Sequence, residues 1–529
     1  MNNKRSNTFI PFLFSIAVII GMFIGYKLRS NMPNSRNITS SVTPNSLQEV
    51  LQLVQQRYVD KIDIDSTSTE AINDLLKTLD PHSVYIPVTE LMEVNEDMEG
   101  QFFGVGIEFN IFNDTVHVLA VVKDGPAQKA GVEIGDKIIR VNDSIATGKK
   151  ITSDLFKKWV KGPGGSSVTL QLLRGNKSLQ KNLTRGSIPL SSIDASYITN
   201  NNIGYLRLNR FSGNTYQEFM DAMQGLKDKG MESLILDLRD NGGGILEEAV
   251  DIVDEFIGGD QLIVYTKGNN HPQKEYKAKR RGIFETGKIT VLINEGSASA
   301  SEIIAGALQD LDRATIIGRR SFGKGLVQEQ YTLSDGSALR LTIARYYTPL
   351  GRSIQKPYDK DHYKYQMEVL SRMHQGEKNT NDTSIKTQTT FTTAKGKKLF
   401  GGGGITPDKV ITINSILFDT TLNQLYEQNT IGNFSYRYFI AHKNELSQFK
   451  SITEFDQQFK VDDTIIEQLY AFASSNKITI SLSSNDAKEF TKIRIKALMA
   501  RIAFGETGYF YVLNNKEDMF QEAVKSIAQ

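Results

Sequence analysis

The sequence predicts an α/β core preceded by a β-rich unit and flanked at both ends by helical segments. Three observations predict it. Between about 189 and 410, apolar strands alternate with amphipathic helices. Between about 100 and 186, short alternating runs are separated by Gly, Asn and Asp turns. Toward both ends, apolar residues recur at a helical spacing. A chain of 529 residues is too long for one core. The reading divides it into 1–30, 31–99, 100–186, 187–412 and 413–529.

Composition narrows the function classes. The chain is 39% hydrophobic and 23% charged, as ordinary globular proteins are. A net charge of +2 gives no general reason to expect nucleic acid as a partner. Cysteine is absent, which excludes disulfides, thiol catalysis and cysteine-type zinc sites. No cofactor or metal is expected.

The first element is an uncharged stretch, Thr8 to Tyr26, preceded by Lys4 and Arg5. Its length approaches the roughly 20 residues that cross a bilayer as a helix. Basic residues stay cytoplasmic, so the rest of the chain is expected outside the cytoplasm, on a single-pass anchor in the inner or cytoplasmic membrane. A cleaved signal peptide is the rival reading, and "GMFIGYKLRS" is a poor cleavage exit for one. Residues 31–44 are polar and read as a linker. "SLQEVLQLVQQRYVD" and "STEAINDLLKTL" then carry helical periods, the second ending before Asp80-Pro81.

The β-rich unit opens on "FGVGIEFNIFNDTVHVLAVV", two alternating runs joined at Asn113-Asp114. "GPAQKAG" reads as a short helix, "IGDKIIRVND" as a strand, "SDLFKKWVKG" as a helix and "SVTLQLLRG" as a strand. Together "FFGVGI", "GPAQKAGVEIGDKIIRVN" and "VTLQLLRG" resemble a PDZ domain. The resemblance implies capture of a peptide by strand addition. The terminal carboxylate would rest on the backbone N–H groups of Phe103, Gly104, Val105 and Gly106, where glycine lets an anion approach. The plain alternative is that these glycines serve a hairpin.

In the core, "IGYLRLNRF", "MESLILDLRDNGGG", "KITVLINEG" and "ALRLTIARYYTPLG" read as strands. "TYQEFMDAMQGLKDKG", "ILEEAVDIVDEFIG" and "ASEIIAGALQDL" read as helices. Residues 375–395 are polar and read as a mobile loop. Helical periods return in "DDTIIEQLYAFAS" and "AKEFTKIRIKALMARIAF".

Two stretches carry chemistry. "ATIIGRRSFGKG" has the look of a phosphate loop ending at Lys324, but such a loop needs Ser or Thr next, to hold magnesium. Gly325 stands there, and "GLVQEQYTL" does not promise the helix that would face the phosphates. In "INEGSASASEIIAGAL" a buried strand runs through a small-residue turn into a helix. A serine at such a junction lies at the positive end of the helix, where a developing alkoxide is stabilised. The plain alternative is helix capping. None of the six histidines sits in a recognisable triad, which shifts weight to Ser–Lys chemistry. Lys324 follows Ser299 after one helix and one strand, a path that can return it to the serine.

"GSASASEI", "GKGLVQ", "LDLRDNGGG", "YYTPLGRSI" and "GGGGITPD", in this order, resemble the carboxy-terminal processing peptidases over roughly residues 45 to 412. The resemblance implies a serine endopeptidase with an inserted PDZ domain and a core of the crotonase and caseinolytic-protease type. It puts the nucleophile on Ser299, the base on Lys324 and a supporting glutamine on Gln328, which a strand would turn to the same face as Lys324. Burial would favour the neutral amine the base requires, and activity should then rise with pH. Ala300 offers one oxyanion N–H; the resemblance implies that Gly242 and Gly243 offer others, the plain alternative for those glycines being a helix entry. Asp237, Arg239 and Asp240 read as ion pairs and turn supports. Expected partners are protein or peptide substrates with a free C-terminus, the membrane through the N-terminal helix, and a second copy through the helical ends. Two other classes stay open: an inactive PDZ-containing scaffold, and a nucleotide enzyme built on Gly318 to Gly325.

Overall fold

The computed structural model describes residues 46–199, 201–358, 361–375, 389–478 and 484–529. The apolar stretch from Thr8 to Tyr26 and the linker after it lie outside the described residues. Among the described residues no helix is long and apolar enough to cross a membrane.

Ser46–Arg57 and Ile64–Lys77 are helices, as the periods predict. The first buries no side chain and leaves Leu47, Val50 and Leu53 exposed. A further helix, Val88–Glu99, ends on Gly100 at φ 73°, a left-handed stop that suits glycine.

The β-rich unit has a sheet in the order Ile107–Phe112, Thr115–Val121, Lys137–Val141, Ser167–Arg174, Lys177–Thr184. The turn at Asn113 and Asp114 has φ of 46° and 57°, the mirror-image hairpin turn those residues favour. The helix Ser153–Val160 closes the unit by burying Phe156, which meets Phe109 edge to face at 4.5 Å. The strand Ile107–Phe112 lies at the end of the sheet, so one of its edges is unpaired there. The reading from residues omitted Lys177–Thr184 and the Gln101–Gly104/Gly186–Pro189 pair, whose polar or short runs carry little apolar alternation.

The core is built on a six-stranded sheet: Ile193–Ile198, Ile203–Leu208, Ser233–Asp237, Ile289–Ile293, Thr315–Gly318, Lys409–Val410. All pairs but the first are parallel. One face packs against the helices Thr215–Asp228, Leu246–Asp254 and Ala300–Asp310 through Phe219, Ile252, Leu308 and their neighbours. A second sheet is organised by the long strand Ala338–Tyr347, which pairs with Leu326–Thr332, Leu262–Lys267 and Val84–Ile86. Of the polar stretch 375–395, residues 376–388 fall outside the described part. Thr390–Thr392 is not loop but strand, paired with Lys398–Phe400.

The C-terminal residues are helical, and those from Leu422 to Val512 share a hydrophobic cluster of their own while also touching the other parts of the chain. The last helix, Asp518–Ala528, lays Met519, Phe520, Ala523 and Ile527 on the other face of the core sheet, against Tyr205, Ile235, Leu292 and Ile317. The helices Thr430–Ala441 and Asn485–Asn514 meet the edge strand of the β-rich unit. Arg501 makes two bonds to Glu108 at 2.9 and 3.1 Å, and Tyr436 stacks on Phe112 at 5.1 Å. Past a break at Gly505, the same long helix puts Phe510 on Arg207 and Asn514 on the Tyr197 hydroxyl.

Candidate active site

Two turns leave the C-terminal ends of adjacent parallel strands, where α/β sheets place ligands. The first follows Asp237 and contains Gly242 to Gly244; the second follows Ile293 and contains the three serines. They are stitched together. Asn294 exchanges two bonds with Asp240, its Oδ1 accepting the Asp240 N–H at 2.8 Å and its Nδ2 donating to the carboxylate at 2.7 Å. Ala298 N donates to Asn241 O at 3.0 Å. Ser297 Oγ donates to Leu238 O at 2.8 Å, and Ser301 Oγ to Asn241 O at 2.9 Å.

Those two serines are thus committed to holding backbone. Ser299 is not, and it alone of the three is partly exposed. Its backbone sits at φ 55° and ψ −114°, a conformation that costs a β-carbon residue on the order of 1–3 kcal/mol. Surroundings must impose it. Gly243 helps: at φ 96° it lies so close that a methyl group there would fall 2.7 Å from Ser299 Cβ and 2.9 Å from Ala300 N.

The main constraint is Glu302, fully buried on the first turn of the helix Ala300–Asp310. One carboxylate oxygen accepts both the Ser299 N–H and the Lys324 N–H, each at 2.9 Å. The other accepts Ser321 Oγ at 2.5 Å and Gly323 N at 2.8 Å. Burial raises its pKa, and these four donors oppose that rise. Tyr346 adds a second tie, its hydroxyl 3.0 Å from Ser299 O and 2.6 Å from Lys324 O. The serine turn and the lysine loop are therefore held together by two buried side chains.

Lys324 Nζ donates to Gln328 Oε1 at 3.1 Å. Strand alternation is not the reason they meet, because Lys324 lies in the loop before the strand Leu326–Thr332 and the ladder is irregular between Val327 and Gln328. Gln328 is oriented from its far side, where Nε2 donates to the main-chain oxygen of His82. The Lys324 pKa is lowered, by burial first and by Arg340 second; Glu302 and Asp80 pull the other way. Among the described residues no hydrogen bond joins Ser299 Oγ to Lys324 Nζ in this conformation.

Of the residues read as oxyanion donors, Ala300 and Gly242 have amides that donate to no other described group. The Gly243 amide is engaged, donating to Asn241 Oδ1 at 2.9 Å. In the β-rich unit, the Phe103 and Gly104 backbones belong to the pair with Gly186–Pro189, while the Val105 and Gly106 amides donate to no described group. Asp237, Arg239 and Asp240 form the ion pairs expected of them: Arg239 and Arg207 reach Asp237 at 2.6 and 3.0 Å, and Arg207 also approaches Asp240 at 3.6 Å.

Sequence reasoning missed Glu302, Tyr346, Asn241 and the His82 carbonyl. A signal for the first was present, since Ser299 and Glu302 have the spacing in which a first-turn glutamate reaches back to the N-cap amide.

The chain also matches known proteins. Residues 202–364 match peptidase family S41, residues 104–184 a PDZ domain, and residues 421–505 a family of unknown function. The carboxy-terminal-processing protease of Bartonella bacilliformis is 34% identical over 352 residues, covering 64% of this chain and 80% of that protein. The chain belongs to peptidase family S41. A "Probable CtpA-like serine protease" of Staphylococcus epidermidis is 33% identical over 372 residues, covering 68% of this chain and 74% of its own. Among solved structures, the photosystem II D1 C-terminal processing protease matches 62% of this chain and 90% of its own at 29% identity, with a TM-score of 0.35. This S41 peptidase is thus a serine protease of the carboxy-terminal-processing group, with a PDZ domain ahead of its mixed α/β peptidase core and helices at its C-terminus.

Proposed function

We propose that this S41 peptidase cleaves extracytoplasmic proteins near their C-termini by Ser–Lys chemistry. Ser299 is the nucleophile, Lys324 the general base and Gln328 the group that holds the amine. The single observation that carries the reading is the shared Glu302 oxygen, which fixes the Ser299 and Lys324 amides on one acceptor. Lys324 removes the Ser299 proton as the substrate carbonyl is attacked, and returns it to the leaving amine. The base must be neutral, and burial favours that form. The amine leaves Gln328 for Ser299 Oγ once substrate excludes water, since catalytic hydrogen bonds are often unformed before substrate binds. The oxyanion is received by the N–H groups of Ala300 and Gly242.

The PDZ domain takes the substrate's terminal carboxylate on the Val105 and Gly106 amides, beside Phe103 and Gly104, and adds the tail to the free edge of Ile107–Phe112. The core is of the crotonase and caseinolytic-protease type, and Thr8 to Tyr26 anchors the chain so that the catalytic part lies outside the cytoplasm.

The test is degradation of fluorescein-labelled casein by the purified full-length protein. Ser299→Ala and Lys324→Ala should each lower kcat by at least about 10³-fold, leaving folding intact. Activity retained by either variant would overturn the assignment.

A further inference from the structure

The turn Asp80–Ser83, between the helix Ile64–Lys77 and the strand Val84–Ile86, reaches the lysine loop from far away in sequence. We infer that this turn is a positioning element for the Lys324 amine, acting through Gln328 on one side and through Tyr365 and Gln355 on the other. The inference rests on the reading of Lys324 as the base.

The first arm is the His82 main-chain oxygen. It accepts from Gln328 Nε2 and so turns Gln328 Oε1 toward Lys324 Nζ. Without that acceptor the sense of the amide is set by the amine alone: a protonated amine selects the oxygen, but a neutral one can also accept from the NH2 group, which would occupy the lone pair the base needs. The second arm is the His82 ring. Nε2 meets the Tyr365 hydroxyl at 2.9 Å, that hydroxyl accepts Gln355 Nε2 at 3.3 Å, and Gln355 Oε1 accepts Gly325 N at 2.8 Å. Gly325 is the residue after Lys324. The lysine is thus gripped through its side chain and through its following peptide by one histidine.

Asp80 makes the turn rigid. Its buried carboxylate accepts from His82 N at 2.8 Å, Ser83 N at 2.9 Å, Ser83 Oγ at 2.6 Å and Thr342 Oγ1 at 3.0 Å. The Thr342 bond and that from Thr342 N to Ser83 Oγ at 3.1 Å latch the turn onto the strand Ala338–Tyr347, which pairs with the strand carrying Gln328. The histidine is suited to positioning rather than to proton transfer. Burial, and then Lys324, push its pKa down to about 4, so it stays neutral at neutral pH.

The test uses the full-length protein and fluorescein-labelled casein. His82→Phe keeps an aromatic ring against Phe322 and removes the Tyr365 bond; Asp80→Ala collapses the turn; Asp80→Asn keeps an oxygen where three of the four donors converge. His82→Phe and Asp80→Ala are expected to lower kcat by on the order of tenfold to a hundredfold while KM changes by less than about twofold. Asp80→Asn is expected to recover most of the rate lost in Asp80→Ala. Folded His82→Phe and Asp80→Ala proteins with wild-type kcat, beside an inactive Lys324→Ala, would overturn this inference alone. An active Lys324→Ala would overturn the base assignment and this inference with it. Should Asp80→Ala not fold, His82→Phe decides the matter: reduced kcat at unchanged KM supports the inference, and unchanged kcat overturns it.

Discussion

Three serines occupy alternate positions from Ser297 to Ser301, and their hydrogen bonds, exposure and backbone conformation tell them apart. Two are spent on main-chain oxygens of the neighbouring turn, whereas Ser299 makes no such bond among the described residues, as the proposed nucleophile requires. Glu302 holds that arrangement with two oxygens and four donors, so Glu302→Gln would turn an NH2 group toward two N–H or O–H donors. The expected cost is about 2 kcal/mol or more of stability, read by urea denaturation, with activity down on the order of a hundredfold. Lys324 has a pH signature of its own. Its folded pKa lies below the ordinary lysine value, so activity should rise with pH as the amine loses its proton. Arg340 is the second cause of that depression, after burial. Arg340→Gln should therefore raise the Lys324 pKa and move the rising limb of the kcat profile to higher pH. An unmoved or acid-shifted limb would show that the limb belongs to another group.

At the scale of elements, the proposed site rests on two strand ends and one loop. The parallel strands Ser233–Asp237 and Ile289–Ile293 deliver the glycine turn and the serine turn side by side, and their mutual bonds make one rigid body of the two. Gly243 approaches Ser299 and Ala300 so closely that a β-carbon there would collide with both. The PDZ sheet ends on an unpaired strand edge beside two unengaged amides. A terminal carboxylate received there gains charge-assisted hydrogen bonds, each about 1.5–3 kcal/mol. A peptide substrate with a free C-terminus should accordingly show a KM about tenfold or more below that of the same peptide amidated at its end. Equal KM values would remove the carboxylate from the recognition step.

At the scale of the whole molecule, the C-terminal helices join the PDZ domain to the peptidase core. One helix carries Arg501 on Glu108 of the PDZ edge strand and, past Gly505, Phe510 and Asn514 on the core. Nearby, Glu517 pairs with Arg239 at 2.8 Å, and Arg239 is bound to Asp237 just before the glycine turn. The Arg501 pair is partly exposed and is worth at most about 1 kcal/mol. The Tyr436 ring, buried and stacked on Phe112, contributes more. Tyr436→Ala should cost about 3 kcal/mol and speed proteolysis or hydrogen exchange at this interface, whereas Arg501→Ala should change either only slightly. The reverse order would mean that charge rather than packing holds the PDZ domain in place.

Much of this was legible in the residues. Asn113-Asp114 fixes its hairpin locally, because those residues tolerate positive φ, and the apolar periods of the core strands and helices are likewise local properties. Ser299, Lys324 and Gln328 could be proposed because "GSASASEI" and "GKGLVQ" are local motifs that resemble those of the carboxy-terminal processing peptidases. The tertiary structure decided which serine is free, that the Gly243 amide is engaged, and why Gln328 faces the lysine. It also brought Asp80 and His82 to a loop more than 240 residues later. The last helix, whose amphipathic pattern fits any apolar surface, was assigned there to one face of the core sheet. A sequence pattern records what a segment prefers by itself. Which distant donor meets which buried acceptor follows only from packing, since every polar group buried in the core must find its partner wherever the fold brings one.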